Sequence, residues 1–269
     1  MNLKLYQIDA FTDTVFQGNP AAVVPLKNWI SDRLMQEIAA ENNLAETAFY
    51  VKKEGRYEIR WFTPTTEVDL CGHATLSAAF VLFHHEAHTE DLIEFHSPRS
   101  GRLTVRKQEE EFLALNFPAD TIEQVPLTDD LKKCVGTMPL EALKGAADYL
   151  LVFENEKQVK NFAPNLAAIS ELSARGIICT APGDHVDFVS RFFGPRVGVD
   201  EDPVTGSAHT TLIPYWSERL QKNQLTARQV SRRGGFLKCS NLGERVEISG
   251  QAVLYLKGNI VVDEEITER

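Results

Sequence analysis

The sequence predicts an α+β fold made of two similar halves, each a curved mixed β-sheet wrapped around one central α-helix. Blocks of sequence recur in the same order with a long period, and one helix-like run is apolar nearly all round. Short β-branched or aromatic segments bounded by Gly, Pro, Asn and Asp supply the strands. We expect halves at 1–118 and 119–269, with the last strands possibly crossing back to the first and a linker at 119–128. A pseudo-twofold axis would then leave a cleft between them.

Three matched blocks carry the repeat. They are 60–64 (RWFTP) with 191–195 (RFFGP), Gly72 with Gly206, and 97–103 (SPRSGRL) with 231–237 (SRRGGFL). In the last pair Ser, Arg, Gly and Leu recur at one fixed offset, and the same offset relates the two glycines. Chance could produce one such match, but three in the same order indicate duplication.

Each half is predicted to run helix, strand, strand, helix, strand, strand. In the first half the leading helix and strand lie at 31–43 and 47–52, and their counterparts lie at 165–174 and 176–181. The second helix begins at Gly72 and continues as HATLSAAFVLFHH. A helix without a polar face must be covered on all sides, so the sheet is expected to curve around it.

Composition narrows the possible partners and location. The 269 residues carry a formal net charge of −10, which argues against nucleic acid because a phosphate backbone requires clustered Lys and Arg. The opening MNLKLYQIDAF resembles a strand. It lacks the basic region followed by an apolar run that marks a secretory signal. No apolar stretch approaches the ~20 residues that span a bilayer. We expect a cytoplasmic protein.

The residues that bind metals best are not arranged as a site. The cysteines, which are Cys71, Cys134, Cys179 and Cys239, lack CxxC spacing. His84 and His88 share a helix face, but they follow an apolar helical run, where the helix dipole and solvent both favour histidine. We expect no metal.

The two central helices begin with similar segments. One starts Asp69-Leu-Cys71-Gly72-His73 and the other Asp202-Pro-Val-Thr205-Gly206-Ser207. A helix N-terminus is a natural anion site, and a glycine there lets a ligand approach the backbone. Helix capping by Asp, Thr or Ser is the simpler interpretation of either segment alone. The repeated glycine favours a site for a carboxylate or an enolate, because a cap does not need it.

Glu46 lies between a helix and a strand, flanked by Leu44, Ala45, Ala48 and Phe49. Partial burial in this apolar turn would raise the pKa of its carboxyl toward the range useful for acid/base catalysis. The corresponding turn of the second half is not acidic. Of the two duplicated halves, only the first therefore carries a carboxylate at this position.

Five motifs closely resemble the phenazine-biosynthesis PhzF-like family of the diaminopimelate epimerase fold superfamily. They are Gly18-Asn19-Pro20, Asn43-Leu44-Ala45-Glu46-Thr47, Asp69-Leu70-Cys71-Gly72-His73-Ala74-Thr75, Asp202-Pro203-Val204-Thr205-Gly206-Ser207-Ala208-His209 and Arg232-Arg233-Gly234-Gly235. The resemblance implies a homodimeric, cofactor-independent isomerase that acts on a small carboxylate-bearing metabolite in the cleft between its halves.

The resemblance also assigns roles to residues. The family residue matching Glu46 shuttles a proton between substrate carbons, and those matching His73, Asp202 and Ser207 bind substrate and position or relay protons. The family glycines matching Gly72 and Gly206 offer backbone N–H groups to the substrate carboxylate. Asn19 and Cys71 are expected to line the same substrate site.

Two alternatives remain at this point. Diaminopimelate epimerases and proline racemases place a cysteine ahead of each central helix, whereas this chain has Cys71 and Thr205 there. A hydroxyl is too weak an acid and base to replace a thiolate, so a two-thiol racemase is disfavoured. A racemase or epimerase with Glu46 and Cys71 as its two acid/base groups is still possible, as is a binding protein that kept the cleft without turnover.

Overall fold

The computed structural model describes residues 1–263. The chain forms two compact units, one made of Met1–Asn116 together with 249–263, and the other of Phe117–Ile248. The predicted halves divide at 118, with the last strands possibly crossing back to the first; the observed units divide after Asn116, and 249–263 lies in the first unit.

The elements of the first half follow in chain order. They are β1 (Asn2–Ala10), β2 (Asn19–Leu26), α1 (Asp32–Asn42), β3 (Glu46–Lys53), β4 (Arg56–Phe62), β5 (Glu67–Val68), α2 (Gly72–His85), β6 (Leu92–Ser97), β7 (Gly101–Lys107) and β8 (Leu113–Pro118), with a 3₁₀ turn at Glu109–Glu111.

The elements of the second half continue the chain. They are β9 (Glu123–Gln124), α3 (Asp129–Cys134), β10 (Glu141–Lys144), β11 (Tyr149–Val152), α4 (Glu156–Lys160), α5 (Leu166–Glu171), β12 (Ile177–Pro182), β13 (Phe188–Gly194), β14 (Val199–Asp202), α6 (Gly206–Leu220), β15 (Gln224–Gln229), β16 (Gly235–Asn241) and β17 (Arg245–Gly250), with a 3₁₀ turn at Pro195–Val197. The final strand, β18 (Ala252–Val261), pairs antiparallel with β1.

Strand pairing repeats between the two halves. In the first, β1–β2 is antiparallel, β2–β3 parallel, β3–β4 and β4–β5 antiparallel, β4–β6 parallel and β6–β7 antiparallel. In the second, β10–β11, β11–β12, β12–β13, β13–β14, β13–β15 and β15–β16 follow the same sequence of directions. The predicted duplication and the mixed sheet are therefore confirmed.

Local chemistry sets the bounds of α1, which agree with the predicted 31–43. The Ser31 hydroxyl accepts a hydrogen bond from the backbone N–H of Leu34 at 3.2 Å, so Ser31 is the N-cap. The helix ends where Asn43 takes a left-handed conformation with φ of 48°. The buried side chains Leu34, Met35, Ile38 and Ala39 form one face.

The helix α2 is the core of the first unit, as predicted. Nine of its fourteen residues are buried, so it has no polar face, and it contacts β1, β2, β3, β7 and β18. Its counterpart α6 also buries nine residues, among them Leu212 and Trp216, and contacts β15 and β16.

The predicted linker at 119–128 is wrong. Within this segment β9 pairs with β10, and the backbone N–H of Asp120 donates to the carbonyl of Thr210 at 3.1 Å. The polar, Pro-containing composition of the segment reflects an edge of the second unit. No helix within residues 1–263 is long and apolar enough to cross a membrane.

Replacing Leu76 by Ala tests the role of α2 as a core helix. Leu76 is fully buried, and removing such a side chain costs about 2–5 kcal/mol because it leaves a cavity. We expect a matching drop in the free energy of unfolding in urea. The control Leu220→Ala, at a residue that is 40% exposed, should cost less than about 1 kcal/mol. Equal losses in the two variants would contradict the assignment.

Candidate active site

Three adjacent elements of the first unit bring its predicted site residues together. Asn19 begins β2, Glu46 begins the parallel neighbour β3, and His73 lies in the first turn of α2. The preceding Gly18 has a φ of 66°, and a Cβ there would lie 2.1 Å from the carbonyl oxygen of Ala10. Only glycine fits this turn, so Gly18 fixes where β2 and its Asn19 side chain begin.

His73 is the centre of this first-half cluster, which consists of Asn19, Glu46, Cys71 and His73. Its Nε2 lies 3.1 Å from Oε2 of Glu46, and its Nδ1 lies 3.2 Å from the side-chain amide nitrogen of Asn19 and 3.5 Å from Sγ of Cys71. The side chains of His73 and Glu46 are only 7% and 18% exposed. Because solvent screens this contact weakly, the charge of each group acts strongly on the other.

The electrostatics of Glu46 differ from the sequence-based expectation. Burial does oppose its negative charge, but the positive charge and hydrogen bond of His73 outweigh burial and lower the pKa of the carboxyl. Burial likewise opposes a charge on His73, yet neighbouring Cys71 and Glu46 raise the pKa of the imidazole well above 6.5. The expectation of a raised Glu46 pKa is therefore wrong. The directions of the two shifts favour a carboxylate beside an imidazolium.

Asn19 suits either charge state of the ring. Its amide nitrogen can donate to Nδ1 of a neutral imidazole, whereas its amide oxygen can accept from the Nδ1–H of an imidazolium after rotation about the last side-chain bond. The residue thus keeps His73 hydrogen-bonded whether or not the ring holds the extra proton.

Cys71 differs from a reactive thiol. Burial raises the pKa of its thiol to about 11, with a further contribution from the charge of Glu46. The group is therefore a neutral thiol near pH 7. Glu46, Cys71 and His73 nevertheless offer an oxygen, a sulfur and a nitrogen within 4.8 Å of one another, a donor set that suits zinc if the thiol loses its proton.

The second-half cluster, formed by Asp202, Thr205 and Gln229, lies at the start of α6. The Thr205 hydroxyl donates to Oδ2 of Asp202 at 2.6 Å. The Gln229 side chain accepts from the Thr205 backbone N–H at 2.8 Å and donates to the Asp202 carbonyl at 2.8 Å. Since Gln229 is 1% exposed, it holds the segment from Asp202 to Thr205 in place from within the core.

Ser207 lies in the first turn of α6 and is exposed. Its hydroxyl oxygen accepts from Nη1 of Arg175 at 2.9 Å. Nε of Arg175 also donates to Oδ1 of the buried Asp148 at 3.0 Å, its Nη2 bonds Oδ2 of the same residue, and the guanidinium lies 5.0 Å from the ring centre of Phe192. Arg175 is thus held as a fixed positive charge beside the N-terminus of α6.

The two central helices begin differently from the other four α-helices within the described chain. At the other four, the N-cap side chain accepts a hydrogen bond from its helix; these N-caps are Ser31, Thr128, Asn155 and Asn165. At α2 and α6 the N-caps are Cys71 and Thr205, which form no side-chain capping bond. The capping alternative therefore does not explain these two helix starts.

Sequence reasoning missed Arg175 and Gln229. Arg175 lies in the turn before β12, which corresponds to the turn that leads into β3 at Glu46. A closer comparison of these two segments could have found it, because one of them carries an acidic residue and the other a basic residue. Gln229 gave no such sign, because nothing local in the sequence shows that its side chain bonds the segment from Asp202 to Thr205.

Comparisons with known proteins agree with the motif resemblance. The family model described as "Phenazine biosynthesis-like protein" matches residues 8–258. A Pseudomonas aeruginosa protein named an uncharacterised isomerase is 51% identical over 97% of this chain and 99% of its own length. A crystal structure of a PhzF-family phenazine biosynthesis protein from Enterococcus faecalis is 47% identical, with a TM-score of 0.94, covering 97% of this chain and all of that one.

A more distant structure shows the fold alone. It is a predicted epimerase from Pseudomonas aeruginosa, 17% identical, with a TM-score of 0.73 over 97% of this chain and all of that one. The prediction of an α+β, epimerase-like fold is confirmed. That of an isomerase-type enzyme is confirmed as well, since relatives from Pseudomonas aeruginosa and Halalkalibacterium halodurans are named isomerases.

The charge states of His73 and His209 provide a test of the site. Both are buried, and burial lowers the pKa of His209 to about 4 because no carboxylate within residues 1–263 offsets it, whereas the pKa of His73 is raised. In ¹⁵N NMR spectra at pH 7.5 we expect an imidazolium at His73 and a neutral ring at His209. Glu46→Gln should lower the pKa of His73. A His73 ring that titrates below 6.5 in the unaltered protein would contradict the assigned pair.

Proposed function

Because the chain belongs to the phenazine biosynthesis-like family, we propose that it is a cofactor-independent isomerase that moves a proton within a small carboxylate-bearing substrate. The observation that carries the proposal is the buried Glu46–His73 pair, with a separation of 3.1 Å. A base must be unprotonated before it acts, and the lowered pKa of Glu46 meets that requirement.

The proposed reaction conserves every atom of the substrate. Glu46 takes a proton from a carbon next to an electron-withdrawing group, and the electron pair of the broken C–H bond enters the substrate's π-system. The imidazolium of His73 stabilises the negative charge that develops. Glu46 then returns the proton to a different carbon, so that a double bond shifts and the enzyme regains its starting state.

The helix N-termini at Gly72 and Gly206 are proposed to bind the substrate's anionic groups. Their lack of side-chain capping bonds supports this role, as does the N-terminal dipole of each helix. Arg175 adds a cation next to Ser207, so a carboxylate there would gain a charge-assisted hydrogen bond. Asp202 is proposed to position the substrate through the segment that it shares with Thr205.

Two other functions have specific features in their favour. The first is racemisation with Cys71 as a second acid/base group, which its contact with His73 suggests; the raised pKa of its thiol argues against it. The second is metal binding by Glu46, Cys71 and His73. A non-catalytic binding protein, the third alternative, differs from all of these in showing no turnover.

Turnover can be measured without knowing the substrate in advance. A panel of small carboxylic acids is incubated with the protein in D₂O, and deuterium gain or isomer formation is followed by mass spectrometry and NMR. A compound that is converted identifies the substrate class. Binding without any conversion across the panel would favour the non-catalytic alternative.

Glu46→Gln should lower turnover of the identified compound by about 10²–10⁴-fold, because the amide cannot accept the proton. Glu41→Gln, at an exposed position of α1, is the matched control and should be unaffected. Full activity of Glu46→Gln would make the mechanism wrong.

Cys71→Ser and chelation separate the remaining alternatives. We expect Cys71→Ser to change the rate of deuterium exchange by less than about tenfold, because a neutral thiol transfers no proton, and dialysis against EDTA to leave turnover unchanged. Loss of exchange in Cys71→Ser favours the racemase. Loss on chelation with recovery after added Zn²⁺ favours the metal site.

The homodimer implied by the family resemblance and the joint action of both halves on one substrate remain proposals. Light scattering measures the oligomeric state.

The joint action of both halves on one substrate predicts that Arg175→Gln raises KM more than it lowers kcat for the compound on which Glu46 acts. An unchanged KM would contradict the proposal that the second half binds the substrate on which Glu46 acts.

A further inference from the structure

A cavity of about 830 Å³ lies in the first unit, away from the first-half cluster. Its walls include Leu82 and Glu86, at the C-terminal end of α2, whereas Cys71 and His73 lie at the N-terminal end of the same helix. The 14 residues of α2 extend about 20 Å at 1.5 Å per residue. The volume falls in the range typical of small-molecule sites, roughly 300–1,000 Å³.

The walls combine aromatic and aliphatic surface. Trp29, Tyr50 and Tyr57 contribute rings, and Leu26, Leu34 and Leu82 contribute aliphatic side chains. The ring centres of Tyr50 and Tyr57 are 5.8 Å apart in an edge-to-face arrangement. Such walls favour a ligand with a flat, apolar body.

Tyr50 supplies an unused hydrogen-bond donor. The residue is 4% exposed, and its hydroxyl has no hydrogen-bond partner among the described residues. Burial raises the pKa of Tyr50, so the hydroxyl keeps its proton. A buried hydroxyl without a partner costs free energy, and an acceptor on a bound molecule would remove that cost.

The charge of the walls is opposite to that of the chain. Three lysines face one carboxylate, in a protein with a net charge of −10. Lys4 bonds Glu86 at 2.8 Å, and Tyr6 donates to the same carboxylate at 2.9 Å. Lys27 and Lys52 form no ion pair among the described residues, and Lys52 lies 5.7 Å from the ring centre of Tyr57. Two cations therefore remain for a ligand.

We propose that this cavity binds a small aromatic anion. The ring of the ligand packs against Trp29 and Tyr57, its anionic group pairs with Lys27 and Lys52, and an acceptor oxygen takes the hydrogen bond of Tyr50. This site does not depend on the chemistry of Glu46.

The aromatic sulfonate 8-anilinonaphthalene-1-sulfonate serves as the probe, with its fluorescence titrated against the full-length protein. Lys27→Glu and Lys52→Glu should each raise its dissociation constant by about tenfold, since each substitution replaces attraction by repulsion. Lys157→Glu, at an exposed position of the second unit, matches the change in net charge and should have no effect. Glu46→Gln should also bind the probe normally.

Tyr50→Phe distinguishes a ligand contact from a structural one. We expect the dissociation constant of the probe to rise by about 3–10-fold, because one hydrogen bond is lost. The melting temperature without probe should stay the same or rise, because the unpartnered hydroxyl is gone. A fall in melting temperature with unchanged probe binding would overturn the assigned role of Tyr50.

Competition identifies the anionic group. Displacement of the probe by benzoate indicates a carboxylate ligand and displacement by phenyl phosphate a phosphate ligand, and either supports the proposal. Displacement by neutral indole alone, or probe binding that is unaffected by both lysine reversals, overturns it. Loss of binding in Glu46→Gln would also overturn it, by assigning the probe to the first-half cluster.

Discussion

The contact between Glu46 and His73 is the interaction on which the rest of the candidate site depends. Each group alone would be costly to bury as an ion, and together they stabilise each other's charge. Three elements must be fixed for this contact to form: β2, which carries Asn19; β3, which begins at Glu46; and α2, which begins at Gly72. The apolar surface buried around α2 holds these elements together. The same helix therefore forms the core of the first unit and carries His73 of the candidate site.

Duplication has kept the frame of the two halves and changed their chemistry. Strand directions repeat through six successive pairings, and both central helices start without a side-chain cap. The side chains nearby differ: the turn that carries Glu46 in one half carries Arg175 in the other, and Cys71 corresponds to Thr205. In the proposed mechanism, a duplicated fold thus provides two similar helix starts for anions, with the base in one half and an additional cation in the other.

Much of the fold could be predicted from sequence because its information is local or periodic. The all-round apolar run from Gly72 predicted a covered helix, and Ser31 and Asn43 marked the ends of α1. The remainder depends on contacts between distant segments. The lowered pKa of Glu46 requires a histidine 27 positions away, and Gln229 reaches Thr205 only after folding. Composition could not show that 119–128 pairs as an edge, and it allowed a return of the last strands to the first half without giving the pairing of β18 with β1.

The protonation of Glu46 tests the central claim most directly, since it needs no substrate. The protein is labelled with ¹³C at the side-chain carboxyl of glutamate, and the Glu46 signal is assigned by its absence from Glu46→Gln. Its titration midpoint should lie below the ordinary value of 4.5, and in His73→Phe it should rise above that value, because burial then acts unopposed. A midpoint above 4.5 in the unaltered protein, with no change in His73→Phe, would contradict the account.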